Sequence, residues 1–94
     1  MAMTSLNIDF DATRQTGLNV QSKAGEFDSL LKEIQSLNDS LKNCWKGADA
    51  ESYTGKITEQ TQVMKKLQQT IQEVGEYLVN VSKAYEQAMN DNTL

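Results

Sequence analysis

The chain has no proline and no histidine. Without proline, nothing in the sequence interrupts a helix by removing a backbone donor and forcing φ. Without histidine, Ser-His-Asp and Cys-His catalysis are excluded, as are His-ligated metals. A single cysteine, Cys44, permits no intrachain disulfide and no zinc-thiolate cage. We expect Cys44 to pack as a small apolar residue beside Trp45. There is no glycine-rich phosphate loop. Basic residues never run beyond the pair Lys65-Lys66 in a chain of net charge -4. Phosphate backbones and anionic membranes both attract basic clusters, so neither nucleic acid nor a polybasic membrane anchor is a fitting partner. No stretch approaches the ~18 apolar residues of a membrane span. The start, "MAMTSLNIDFDATRQ", has neither the basic beginning nor the apolar centre of a secretory signal peptide.

What remains is periodicity. In the second half, Ile57, Met64, Ile71, Leu78 and Tyr85 recur every seven residues. Three residues after each come Gln60, Leu67, Val74, Val81 and Ala88. Steps of three and four make a narrow helical stripe, as in the seam of a coiled coil. The first half carries Val20, Ala24, Phe27, Leu31, Ile34, Leu41 and Trp45 with Asn38 as a polar break. Leu30, Leu37 and Cys44 add an adjacent row, so this helix presents a face wide enough for more than one neighbour. Asp11 and Asp49 are candidate N-caps. Gly47 stands where a glycine commonly ends a helix. "LNIDF" alternates and reads as a short extended arm. Gly25 and Gly75 fall inside helices, tolerated there or marking close approach of a neighbour.

The expected organisation is one all-α domain over 1–94: helix one at about 12–44, a turn at about 45–49 and helix two at about 50–90. At ~1.5 Å per residue the helices are on the order of 50–60 Å long. They fold as an antiparallel hairpin, and the wide stripe on helix one calls for a second hairpin to complete a four-helix bundle. Phe27, Leu30, Leu31, Ile34, Leu37, Leu41, Ile57, Met64, Leu67, Ile71, Val74, Leu78 and Val81 are the expected helix-packing and dimer core. Carboxylates are spread over the solvent faces of thin helices, with no concave site to pair them, so no enzyme and no cofactor are expected.

The turn adds a motif. "NCWKGADAESY" places Trp45 and Gly47 midway along a chain of about one hundred residues, between two amphipathic helices. In this combination, over about Ile8 to Met89, the sequence resembles the WXG family of small ESAT-like (early secreted antigen) proteins. The resemblance implies helical hairpins that pair into antiparallel four-helix dimers. It implies export by the type VII (ESX, Ess or Yuk) machinery of Gram-positive bacteria and mycobacteria, with a membrane ATPase and no cleaved signal peptide. Such a protein is made in the cytoplasm and acts outside the cell. Family members serve as virulence-associated secreted effectors, as co-secreted partners of a similar small chain, or as carriers for a larger toxin. Trp45 and Gly47 are then candidates for export recognition. Many secreted members also carry Tyr-x-x-x-Asp/Glu after helix two. Here Met89 follows Tyr85 by four and Val81 follows Tyr77 by four, leaving Tyr85 with Asp91 as a weak tail signal and "NDNTL" as the tail. A different partner chain could supply the signal, as in family heterodimers where one subunit lacks it, or the tail is read differently. The rival readings are an intracellular adaptor or chaperone that is not itself exported, and a membrane-active effector, against which the acidic surface speaks.

Overall fold

A computed structural model of the chain describes residues 8–92. Two helices account for nearly all of it: α1, Phe10–Cys44, and α2, Ala48–Asn92. They pack as a helix-turn-helix hairpin.

Helix one begins earlier than its sequence suggests. The Asp9 carboxylate accepts a hydrogen bond from the Ala12 backbone N–H at 3.0 Å, so Asp9, not Asp11, is the N-cap. Asp11 instead lies in the first turn, facing Arg14 at 3.7 Å. Because Phe10 is already helical, only Ile8 and Asp9 of the expected arm are non-helical; Leu6 and Asn7 lie outside the described residues. At its far end α1 closes with Trp45 N–H donating to the Leu41 carbonyl at 2.9 Å. Gly47 then takes a φ of +118°, a conformation that L side chains rarely adopt. Its carbonyl accepts from Glu51 N–H at 3.0 Å and starts α2. Asp49 is therefore inside the first turn, where it and Glu51 oppose the positive end of the helix dipole.

The described residues form two compact units, one joining α1 as far as Ser22 with α2 from Ile71, the other spanning Lys23–Thr70. In the Lys23–Thr70 unit the residues buried between the helices are Ala24, Leu31 and Asn38 of α1, against Ala50, Thr54, Thr61 and Gln68 of α2. In the other unit they are Gly17 of α1 against Gly75, Val79 and Ser82 of α2. Apart from Ala50 and Val79, these residues follow a seven-residue step on each helix: 17, 24, 31, 38 on α1 and 54, 61, 68, 75, 82 on α2.

The row that meets the other helix is thus small and polar, and it is not the stripe expected from the sequence. Of the expected packing residues only Leu31 is buried. Phe27, Ile34, Leu41, Ile57, Ile71, Leu78 and Val81 are half-buried. Leu30, Leu37, Met64, Leu67 and Val74 are exposed. The polar row can be buried because its hydroxyls are satisfied within their own helix. Thr54 donates to the Ala50 carbonyl at 2.7 Å, Thr61 to Ile57 at 2.6 Å and Ser82 to Val79 at 2.8 Å. Small side chains then let the backbones come close. A Cβ on Gly75 would lie 2.9 Å from the Gly17 carbonyl oxygen, whereas one on Gly25 would meet nothing within 4 Å. Of the two glycines singled out from the sequence, Gly75 marks a close approach and Gly25 does not.

Candidate interaction surface and turn

Helix geometry puts the apolar stripes beside the buried rows rather than on them. On α1, Phe27, Ile34 and Leu41 lie to one side of the Ala24–Leu31–Asn38 row, and Asp28, Gln35 and Lys42 to the other. In the Lys23–Thr70 unit the two helices bring their apolar sides together on one side of the hairpin. There Leu31, Ile34, Tyr53, Ile57 and Met64 line a shallow groove of about 290 Å³, edged by Lys56, Gln60 and Thr61. Leu30, Leu37 and Leu67 stand on the same sides of their helices, Leu37 with 69% of its surface in water. The opposite side is polar. Lys65 of α2 donates to the Asp28 carboxylate of α1, and Lys32 reaches the same carboxylate at 3.2 Å. These two ammonium groups hold the Asp28 pKa below the ordinary carboxylate value, Lys65 contributing most. Gln35, Asn38, Asp39, Lys42 and Thr58 line a second, polar groove on that side.

The other unit repeats the pattern. Ile71, Leu78, Val81 and Tyr85 of α2 are half-buried, Val74 is exposed, and Tyr77 has 66% of its surface in water. A cross-helix ion pair joins Arg14 to Glu86. Beyond Glu86, residues 87–91 of α2 are all exposed.

At the turn, Trp45 lies at the surface. Its ring stacks on Tyr53 at 6.1 Å between centroids, with planes inclined by 21°, and stays 38% exposed. Lys56 places its ammonium 5.3 Å from the Tyr53 ring centre, a cation–π contact. Cys44 is exposed as well, contrary to its expected burial, because it falls on the outward row of Leu30 and Leu37. Trp45, Lys46 and Gly47 share an open hollow with Lys42, Ala50, Glu51, Thr54 and Gly55. The turn motif is therefore a surface feature, built from a stacked aromatic pair and one glycine with positive φ.

The tail residues are not brought together. Tyr85 is half-buried and Asp91 exposed. Six helical residues turn through about 600°, which leaves the two on different faces. Asn90 and Asp91 of the tail are described; Thr93 and Leu94 lie outside the described residues. No helix among the described residues is long and apolar enough to cross a membrane.

A tryptophan and a glycine framing a three-residue turn between two amphipathic helices invite comparison with known families. Residues 5–88 match WXG100, proteins of 100 residues with WXG. The chain belongs to the WXG100 family. WXG100 proteins are generally small, helical and exported by type VII secretion, and they typically pair as dimers. No match was found among curated proteins or solved structures. The match covers α1, the turn and α2 as far as residue 88, so the exposed stripe up to Tyr85 and the Trp45–Gly47 turn both lie within the family's shared region.

Among the residues that sequence reasoning missed are Gly17, Asp28, Lys65 and Gln68. Gly17 stands seven residues from Ala24, and Gln68 seven from both Thr61 and Gly75. That spacing of small and polar residues was the available signal. A search for apolar periodicity passes over it.

Proposed function

We propose that this WXG100 protein is exported by a type VII secretion system as a dimer, and that it acts as a secreted effector or as the co-secreted partner of a larger substrate. It does so without catalysis. The observation that carries this reading is the misplacement of apolar surface. The hairpin buries threonine, asparagine, glutamine and serine between its helices and leaves leucine, valine and methionine in water. Apolar area exposed on that scale is stabilised by a second chain, at roughly 25 cal/mol per Å² removed from water. A second hairpin laid on the apolar side yields a four-helix bundle. The partner is a copy of this chain or a similar small helical protein.

In this reading Trp45 and Gly47 remain outside the bundle core, available to the secretion ATPase. Where the partner is a different small helical protein, it supplies the acidic residue that this tail lacks four after its tyrosine. Expression in a Gram-positive host with an intact type VII system, and in the same host without the ATPase, tests the route. Secreted protein of twice the chain mass that disappears with the ATPase supports the proposal. Protein retained in the cytoplasm of both strains, bound to a longer chain, overturns it in favour of the adaptor reading.

A further inference from the structure

The buried row contains two residues that strength alone does not require. Threonine and serine hydroxyls in this row satisfy themselves within their own helix and suit any neighbour. The two amides behave differently, because they donate across the gap. Asn38 of α1 donates from Nδ2 to the Thr54 carbonyl at 3.1 Å and to Thr58 Oγ1 at 3.2 Å. Gln68 of α2 donates from Nε2 to the Ala24 carbonyl at 3.1 Å. One donor runs from each helix to the other. A carbonyl only accepts, so Thr54 fixes which way the Asn38 amide faces. That orientation leaves the buried Asn38 Oδ1 with no donor from the protein, on an asparagine that is only 5% exposed.

We infer that Asn38 and Gln68 are specificity-determining residues: they direct the inner row of each helix to the other helix of the hairpin and keep that row from associating with copies of itself. The three-residue turn already limits sliding within one chain, so the competing pairings are between chains. Were the inner row apolar, it would merge with the neighbouring apolar row, Ile34 on α1 and Ile57 and Met64 on α2. Each helix would then present one broad apolar arc, and contacts between two copies of α1 or of α2 would bury it as well as the hairpin does. The amides break that equivalence. In a contact between two α1 helices, Asn38 would face Gly17, Ala24 or Leu31 in every register but the one that sets it opposite its own copy, and none of these three offers a counterpart of Thr58 Oγ1. A buried polar residue that fixes partner choice at a cost in stability is a known device of helical bundles. Its consequence here is that association is confined to the outer apolar side.

The test is the full-length double variant Asn38→Leu, Gln68→Leu, compared with the parent chain at one concentration by light scattering and by helical melting. The expected result is a melting midpoint raised by about 4 °C or more, together with a mass above that of the parent. A variant that keeps the parent mass overturns the inference, whatever its midpoint. So does a larger mass with a lower midpoint, which signals general misfolding. Should the double variant not fold, Gln68→Met alone removes the cross-helix donor at similar volume and is read by the same two criteria. Loss of fold in both overturns the inference, because the amides would then be required for the hairpin itself. The reference is the parent mass, whatever that is, so failure here is distinct from failure of the proposed dimer.

Discussion

Alanine at Gly25 and alanine at Gly75 are the same chemical change in the interior of a helix, yet the structure gives them opposite outcomes. At Gly25 the added methyl meets nothing within 4 Å. The change then reads out helix propensity alone, a gain of about 1 kcal/mol. For a domain of this size that raises the melting midpoint by about 4–8 °C. At Gly75 the same gain is opposed by collision. The new carbon would stand 2.7 Å from Gln21 Cγ, 2.9 Å from the Gly17 carbonyl oxygen and 3.0 Å from the Gln21 backbone nitrogen. A glutamine side chain can swing away, but two of these three atoms are backbone, so the helices themselves must separate. Overpacking of this kind costs about 1–3 kcal/mol, which makes Gly75→Ala about 0–2 kcal/mol destabilising once propensity is included. Gly17→Ala meets the same gap from the other side, 2.9 Å from the Gly75 carbonyl oxygen. Combining Gly17→Ala with Gly75→Ala should cost less than the two separately, since one separation relieves both. Thermal melting by circular dichroism at a single protein concentration measures all four variants; concentration is held fixed because pairing shifts the midpoint. If Gly75→Ala raised the midpoint as far as Gly25→Ala, the close contact between α1 and α2 at these glycines would be refuted.

Three further outcomes are expected. The depressed pKa of Asp28 means that its ion pairs with Lys65 and Lys32 stabilise the fold above the ordinary carboxylate value of 3.8 and are lost as pH falls below it; on acidification the parent chain should therefore lose more stability than Asp28→Asn, and equal losses in a pH series of melts would remove the pair's role. Leu37→Asp or Leu67→Asp should lower the associated mass, each forfeiting about 1.5–3 kcal/mol of leucine burial per chain, and an unchanged mass by light scattering would show that the partner does not use this side. Trp45→Ala should lose the Tyr53 stack, about 0.5–1.5 kcal/mol, while Trp45→Phe keeps most of it; export assays on the two variants then separate a stacked aromatic from tryptophan itself, and normal export of both would end the recognition role of Trp45.

Much of the architecture was legible along the chain. The absence of proline, the stripe from Ile57 to Tyr85 and the glycine at 47 led to two long helices and a tight turn. Boundaries were less legible. Asp9 rather than Asp11 caps α1 because the backbone is already helical at Phe10, and two aspartates two residues apart look alike in sequence. The inner contact was not legible for a deeper reason. Apolar periodicity reports the face that avoids water, and it does not report which neighbour covers it. In this hairpin the neighbour in the same chain takes the small and polar row. The Ile57–Tyr85 stripe is left beside it.

The sequence by itself determined that the chain is helical, that each helix has one apolar side, and that a Trp-X-Gly turn joins them, because local propensity and period act over a few residues. Only the tertiary structure decided that Gly17 meets Gly75, that Asn38 and Gln68 donate across to the opposite helix, and that Asp28 sits between two lysines. Apart from Asp28–Lys32, four positions apart on α1, those contacts join residues 16 to 58 positions apart. Whether a threonine or a leucine faces the other helix depends on how closely two backbones can approach and on where each buried hydrogen bond finds its partner, and neither is a property of one helix alone.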